Sequence, residues 1–328
     1  MSDLSQALTE LAPRLDAAAT GISRLVRLSG GASQETYAFQ IERSGEAPLP
    51  LILRRAPGAR TGEGISLATE AAVMRAAGAA GAPVAPVLHV CAPEDGLGEA
   101  FVMGRVEGET IARKILRDAA FAPARAVLAA RCGQALAQIH ATPLADLPEL
   151  TVSDGAGQLA RYREIYRSFG VNRPIMELAF SWLERRQPAP VATTLVHGDF
   201  RNGNLMVAPE GLAAVLDWEL AHLGDPREDL GWICVNSWRF GASHNPVGGF
   251  GSRADLLAAY QAAGGLAVDE SQLRWFEMLG TLKWGVMCLI MYQAFATGAD
   301  PSIERAMIGR RASETEIDLV NLMRAAGA

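Results

Sequence analysis

The sequence predicts an α+β fold with two lobes: a small antiparallel sheet with one helix over residues 1–104, and a larger, mainly helical lobe over residues 105–328. Three observations support this division. Short runs of β-branched and apolar residues alternate with turn signals in the first hundred residues. Long segments with helical spacing of apolar residues follow Gly108. A single β-like segment around Asp199 interrupts these helical segments.

Five β-like runs make up the predicted sheet, and they cover residues 24–29, 36–42, 50–55, 86–91 and 100–106. The predicted helix of this lobe starts after Ser66, which is a suitable N-cap residue, and ends at Gly78 and Gly81. The helix is therefore inserted after the third strand.

The helical lobe is predicted from apolar periodicity over residues 123–140, 157–169, 174–186, 253–263 and 271–295. The last segment is the most hydrophobic, but Glu277, Lys283 and Gln293 interrupt it. This favours a buried helix over a membrane span, which needs roughly 20 apolar residues. In the β-like segment, residues 209–211 supply the turn of a hairpin.

Composition limits the classes of function. The 328 residues carry a net charge of −6 with both signs interspersed, which argues against a nucleic-acid partner. The four cysteines are widely spaced and form no C-x-x-C pair, which argues against zinc and against a disulfide framework. Residues 1–15 are acidic and amphipathic, unlike a secretory signal. We therefore expect a cytoplasmic enzyme with reduced thiols and no membrane partner.

The strongest functional signal is His197-Gly198-Asp199, followed by Asn204 and then by Asp217 at the end of an apolar run. Transfer of a phosphoryl group to a hydroxyl needs a carboxylate near the acceptor and oxygen ligands for a metal that bridges the phosphates. Mg²⁺ prefers oxygen ligands and keeps several waters, so two protein side chains and the nucleotide phosphates suffice. Asp199, Asn204 and Asp217 meet this requirement.

Four stretches carry a resemblance to a known family: LVHGDFRNGNLMV, VLDWELAHLGDPREDLGW, SGGASQETY and LILRRAP. They resemble the aminoglycoside phosphotransferase and choline kinase superfamily, which has a two-lobed protein-kinase-like fold, and in particular the branch also found fused to acyl-CoA dehydrogenases. The resemblance implies a phosphotransferase that uses Mg²⁺ and ATP or GTP. It also implies that Asp199 is the catalytic base or orients the acceptor, and that Asn204 and Asp217 hold Mg²⁺.

Several neighbours of these residues are predicted to have structural roles. We expect His197 to be buried and to brace the loop, because Asp199 already fills the position of the base. Asp225, Pro226 and Glu228 read as a helix start, with the aspartate as N-cap, the proline first and the glutamate third. Together with Asp229 they are expected to support the site without reacting.

The nucleotide side is predicted from the first lobe. Gly30 and Gly31 allow a tight turn, and Ser33 offers a hydroxyl and backbone N–H groups to phosphates, although such glycines also occur in ordinary hairpins. A kinase places a lysine on the third strand, paired with a glutamate on the next helix. The sequence departs from this pattern, because Arg54 takes that place, and Glu70 is its expected partner. The alternative for Glu70 is a position facing solvent.

The run AFVMGRVEG is expected, by resemblance, to be the strand and hinge between the lobes. Backbone groups around Gly104 and Val106 would then bind adenine, and Met103 would line the pocket.

The acceptor is a small molecule with a hydroxyl group. Residues 241–328 contain nine acidic and seven basic residues, which disfavours a polycationic aminoglycoside. The branch resemblance suggests a hydroxyacyl compound or its coenzyme A thioester. The alternatives are an aminoglycoside-modifying kinase and a nucleotide-binding pseudokinase or scaffold, the latter because of Arg54. A protein kinase is disfavoured, since the segment between Asp217 and Asp225 is too short for a regulatory activation segment.

Overall fold

The computed structural model describes residues 2–28, 34–56, 58 and 64–327. The first lobe contains, in chain order, α1 (Ser2–Leu15), β1 (Ala19–Arg27), β2 (Glu35–Arg43), β3 (Leu49–Arg55), α2 (Leu67–Ala79), β4 (Val87–Val90) and β5 (Ala100–Gly104). The second lobe contains α3 (Ala112–Arg117), α4 (Ala122–His140), β6 (Val152–Ser153), α5 (Gly155–Ser168), α6 (Pro174–Arg185), β7 (Thr194–Val196), β8 (Leu205–Ala208), β9 (Gly211–Val215), β10 (His222–Gly224), α7 (Arg227–Trp232), α8 (Arg253–Ala262), α9 (Glu270–Ala296), α10 (Ile303–Gly309) and α11 (Ala312–Ala325).

The sheet of the first lobe is antiparallel throughout and has the order β1-β2-β3-β5-β4. As predicted, α2 lies between β3 and β4, and the Ser66 hydroxyl caps it by accepting a hydrogen bond from the Thr69 N–H at 3.0 Å. The lobe has a second helix that the sequence analysis did not count. Leu4, Leu8 and Leu11 of α1 share one helical face and pack in one apolar cluster with β2 and β3.

The helical lobe is organised around α9, which packs against α5, α6, α7, α10 and α11. This helix is long and apolar enough to cross a membrane, but 61% of its most apolar window is buried inside the protein. That burial agrees with the predicted core helix. The charged residues within it are paired, since Glu277 binds Arg253 at 2.6 Å and Lys283 binds Glu228 at 3.1 Å. Strands β8 and β9 form the predicted hairpin.

One apolar cluster runs through both lobes, because it includes Ile52 and Met103 from the sheet together with Leu136, Val215 and Trp218 from the helical lobe. The two lobes therefore share a core. Strand β5 ends at Gly104. A boundary between residues 104 and 105 suits this strand end, and we retain it as a proposal.

Candidate active site

The loop after β7 is held in place by a buried histidine. His197 accepts a hydrogen bond at Nδ1 from the Asp199 N–H at 3.2 Å and donates from Nε2 to the Leu216 carbonyl at 3.1 Å. These two bonds select the neutral tautomer that carries its proton on Nε2. Burial of the imidazole lowers the pKa of His197 and favours the same neutral form. The predicted structural role is confirmed, because His197 ties this loop to the end of β9.

The same loop is anchored from α7. The buried Asp229 carboxylate accepts hydrogen bonds from the N–H groups of His197 and Gly198, at 2.8 and 3.0 Å. Gly198 has a φ of +81°, and a Cβ added there would lie 2.4 Å from the Leu220 carbonyl oxygen. Only glycine fits at this point. Asp229 thus braces this loop, as predicted.

The predicted helix start at residues 225–228 needs a correction. Helix α7 begins at Arg227, so Pro226 precedes the first helical residue. Asp225 does accept a hydrogen bond from the Arg227 N–H, at 2.9 Å. Glu228 makes no capping contact, because its side chain turns inward to Lys283. A buried ammonium group is a stronger partner for a carboxylate than a helix N-terminus is.

Asp199 is held by three donors. Asn204 Nδ2 donates to Oδ2 at 2.6 Å, Trp232 Nε1 donates to Oδ1 at 2.7 Å, and Arg201 Nε contacts both oxygens at 3.0 and 3.1 Å. An ionised carboxylate has about four lone-pair sites, so these bonds fix its plane. The Asp199 side chain remains 15% exposed. The carboxylate is therefore oriented and still reachable by a ligand.

Asp217 lies beside Asn204. The Leu216 N–H, one residue before Asp217, donates to the Asn204 carbonyl at 2.8 Å. Asp217 has a left-handed backbone, with a φ of +66°, which is uncommon for a residue with a side chain and typical of functional sites. Its carboxylate is 37% exposed. Because Asn204 Nδ2 is bonded to Asp199, the amide oxygen is the ligand atom that Asn204 could offer to a metal, and Asp217 could offer its carboxylate. Both are oxygen ligands of the kind that Mg²⁺ prefers.

The predicted pair of Arg54 and Glu70 is confirmed at 2.7 Å. Arg54 also reaches Asp217 at 3.1 Å and donates from Nε to Gln34 at 2.9 Å. Glu70 is fully buried, which raises the pKa of its carboxyl, while the Arg54 guanidinium opposes that effect. Arg55 faces the other side of the sheet, as predicted, and contacts Glu35 at 3.4 Å.

The other residues that were predicted to bind the nucleotide differ in what the structure shows of them. Gly30, Gly31 and Ser33 lie outside the described residues. Met103 is buried in the core shared by the lobes. The Gly104 N–H donates to the Pro86 carbonyl at 2.9 Å, so this N–H is not available to adenine. A role for the hinge would rest on the Gly104 carbonyl and on Val106, which is partly buried against the core.

A cavity of about 330 Å³ opens beside Gly198 of this loop, and we call it the loop cavity. Its lining includes Gly198, Tyr162, His222, Lys283 and Met287. The sequence analysis missed Lys283, although one signal was present: it is one of only two lysines and lies inside an apolar segment. Its ammonium group lies 5.0 Å from the centroid of the Trp232 ring.

A second cluster, far from this loop in sequence, joins His89, Cys91 and Asp95, whose ligand atoms lie within 4.8 Å of one another. Asp95 accepts hydrogen bonds from His89 Nε2 at 2.8 Å and from the Ala92 N–H at 2.9 Å, and it pairs with Arg14 of α1. These contacts explain the cluster as a brace between α1 and the end of β4. We therefore assign no metal to it.

Comparisons with known proteins agree with the geometry. A family model described as the phosphotransferase enzyme family matches residues 24–276. Acyl-CoA dehydrogenase family member 10 of Mus musculus is 31% identical over 228 residues, which are 66% of this chain and 20% of that protein. The matched part of this chain therefore spans about a fifth of the length of that relative.

Two solved structures show the fold. A protein of Ralstonia eutropha JMP134, provisionally described as an aminoglycoside phosphotransferase, has a TM-score of 0.72 at 23% identity over 98% of both chains. A thermostable mutant of the aminoglycoside phosphotransferase APH(4)-Ia, in a ternary complex with AMP-PNP and hygromycin B, has a TM-score of 0.61 at 16% identity over 97% of this chain and 98% of that chain. The predicted two-lobed kinase-like fold is confirmed.

Proposed function

The chain belongs to the phosphotransferase enzyme family, and from this premise we propose that it transfers the γ-phosphoryl group of ATP to a hydroxyl group of a small molecule. Membership of the family supports a small-molecule phosphotransferase, and the nucleotide, the metal and the acceptor are the proposed details. One observation carries the proposal. Asp199 and Asn204 are joined at 2.6 Å, and Leu216, the residue before Asp217, donates its N–H to the Asn204 carbonyl at 2.8 Å.

The proposed reaction uses each of these residues. The acceptor hydroxyl lies against Asp199, and its oxygen forms a bond to the γ-phosphorus while the bond from that phosphorus to the β–γ bridging oxygen breaks. The hydroxyl proton passes to the Asp199 carboxylate, and the nucleoside diphosphate leaves. Asn204 and Asp217 would hold Mg²⁺, which supplies positive charge to the phosphates. GTP is the alternative donor.

Arg54 would bind the phosphates in place of the usual lysine. Glu70 holds the guanidinium at 2.7 Å, at the end of β3 that points toward Asp217. A guanidinium is a permanent cation and binds phosphate oxygens in a fork geometry. Replacement of lysine by arginine at this position is therefore compatible with phosphate binding.

We place the acceptor in the loop cavity, whose lining has no excess of acidic groups. Among its described lining residues, Arg161, Lys283 and His222 are cationic or titratable bases, and Glu219 is the one acidic residue. Lys283 and His222 pair with Glu228, so the lining offers a polycationic aminoglycoside no excess of carboxylates to bind. Together with the similarity to an acyl-CoA dehydrogenase family member, this supports a hydroxyacyl compound or its coenzyme A thioester as the acceptor.

The test is a turnover screen of hydroxylated compounds, including hydroxyacyl thioesters and aminoglycosides, with magnesium nucleotide. Asp199→Asn should lower turnover on the best acceptor by roughly 10²- to 10⁴-fold if Asp199 acts as general base. Asp255→Asn makes the same chemical change at an exposed position on α8 and should leave turnover unchanged. Full turnover in Asp199→Asn would contradict the assigned role.

A scaffold without catalysis is the second candidate, because Arg54 replaces the expected lysine. That candidate predicts binding of magnesium nucleotide with no turnover on any acceptor. Slow nucleotide hydrolysis that depends on Mg²⁺ and disappears in Asp217→Ala would decide for the enzyme.

A further inference from the structure

Arg201 places a cation against the catalytic carboxylate. Its Nε donates to both oxygens of Asp199, at 3.0 and 3.1 Å. Its Cζ lies 4.7 Å from the centroid of the Trp238 ring, so the guanidinium stacks on an aromatic face. These two contacts fix the guanidinium plane, while 25% of the side chain remains exposed. The group is rigid, charged and open on one side.

The outer part of this guanidinium has no protein partner. Among the described residues, none accepts a hydrogen bond from the Nη groups of Arg201, since the hydrogen bonds of its side chain use Nε. Arg239 and Arg253 differ, because both donate through Nη to the buried carboxylate of Glu277. An arginine side chain has five N–H donors. Arg201 therefore offers four of them to a ligand.

The absence of a side chain at Gly203 leaves space for the Arg201 guanidinium. A Cβ added at Gly203 would lie 2.7 Å from Arg201 Nη1, and the residue has a φ of +117°. The guanidinium therefore extends from Asp199, where Nε binds, to the backbone just before Asn204. These two residues mark the acceptor side and the metal side of the site. Under the proposed function, the transferred phosphoryl group would lie between them.

We propose that Arg201 is a catalytic residue whose Nη groups bind the equatorial oxygens of the phosphoryl group during transfer. The inference rests on the proposed function. Negative charge is spread over these oxygens in the transition state, and an arginine donor that meets them there stabilises it. Arg201 gains and loses no proton in this step, because a guanidinium stays charged in proteins. The bonds that form and break are those of the proposed transfer.

The inference is tested with magnesium, ADP and aluminium fluoride, which together mimic the phosphoryl group in flight and need no knowledge of the acceptor. The wild type should bind ADP more tightly with aluminium fluoride than without it. Arg201→Met should lose this preference by on the order of 10²-fold or more, and its turnover should fall by roughly 10³-fold. Arg201→Lys should lose less, because it keeps the charge without the fork geometry.

The affinity for ADP alone shows whether each variant is folded. It should differ from the wild-type affinity by less than about twofold. Arg186→Met is the matched control. Arg186 also stacks on a tryptophan, with Cζ 4.9 Å from the Trp182 ring centroid, and in the described part of the chain it is bonded to no residue of the catalytic loop. It should leave the preference for aluminium fluoride unchanged.

The outcomes are distinguishable. If the wild type prefers ADP with aluminium fluoride and Arg201→Met keeps that preference, Arg201 only positions Asp199 and the inference is overturned while the proposed function stands. If Arg201→Met chiefly raises the KM for the acceptor at an unchanged kcat, the guanidinium binds an acidic group of the acceptor, and the inference is again overturned. If the wild type shows no preference at all, the proposed function fails with it.

Discussion

Replacement of Arg54 by methionine should expose how strongly Glu70 depends on its partner. Glu70 is fully buried, and the Arg54 guanidinium lies 2.7 Å from its carboxylate. Arg54→Met removes the charge and keeps an unbranched side chain. The carboxylate must then remain buried without a counter-charge or take up a proton.

Both routes have similar costs at pH 7. Leaving a buried charge unpaired costs about 3–5 kcal/mol. Protonating a carboxyl with an unfolded pKa of 4.5 at pH 7 costs about 3 kcal/mol, at 1.36 kcal/mol for each pH unit. The variant should take the cheaper route and lose about 3 kcal/mol of its free energy of unfolding. In that variant the pKa of Glu70 is higher in the folded state than in the unfolded state, so the variant gains stability relative to the wild type as the pH falls. At pH 5 the loss of free energy of unfolding should therefore be below about 1 kcal/mol.

Urea denaturation of the wild type and the variant at pH 7 and pH 5 measures both effects. The double variant Arg54→Met/Glu70→Gln should recover most of the free energy of unfolding that Arg54→Met loses. The remaining loss should be the same at pH 7 and pH 5. Arg55→Met is the control on the same strand, and the partly exposed pair of Arg55 with Glu35, at 3.4 Å, should be worth at most about 1 kcal/mol. If Arg54→Met costs no more than Arg55→Met at pH 7, or costs the same at both pH values, the reasoning about Glu70 is refuted.

Two further predictions concern the supports of the catalytic loop. Gly198→Ala should lower the free energy of unfolding by more than about 2 kcal/mol and should also lower turnover, because the added Cβ would lie 2.4 Å from the Leu220 carbonyl oxygen. Urea denaturation measures the change in stability. Gly21→Ala is the control, because an added Cβ there meets nothing within 4 Å. Burial alone would raise the pKa of Glu228, but Lys283 and His222 outweigh it and hold the pKa at about 2, below the ordinary 4.5. The carboxylate therefore stabilises the fold above about pH 4.5, and a contribution of about 3 kcal/mol is lost as the pH falls toward 2. Glu228→Gln should flatten this part of the stability profile, and an unchanged acid dependence would contradict the assignment.

The parts of the site that the sequence predicted are those with local or unambiguous partners. Asp199 and Asn204 are five residues apart in one loop, so their contact follows from a short segment. Arg54 and Glu70 are distant, but the strand has no lysine and the helix has no other acidic residue, so the pairing had few alternatives. Burial of an unpaired glutamate is costly, which made the pair a physical expectation.

The missed parts depend on how α7 and α9 pack. Trp232 and Lys283 are far apart in the chain, and they meet because Gly231 lets α7 approach α9 closely: a Cβ at Gly231 would lie 2.5 Å from Phe276. Sequence periodicity predicts the apolar faces of helices but not which faces meet. The sequence also could not show that the Gly104 N–H is bonded to the Pro86 carbonyl, because this bond depends on how β4 and β5 pair at a point of irregular register.

The most direct test of the site is calorimetric titration of AMP-PNP with and without Mg²⁺ in the wild type, Asp199→Asn and Asp217→Asn. We expect Mg²⁺ to increase the affinity for AMP-PNP in the wild type and in Asp199→Asn. In Asp217→Asn, Mg²⁺ should leave this affinity unchanged. The same affinity gain from Mg²⁺ in Asp217→Asn as in the wild type would contradict the metal site, and with it the proposed arrangement of Asp199, Asn204 and Asp217 around one nucleotide.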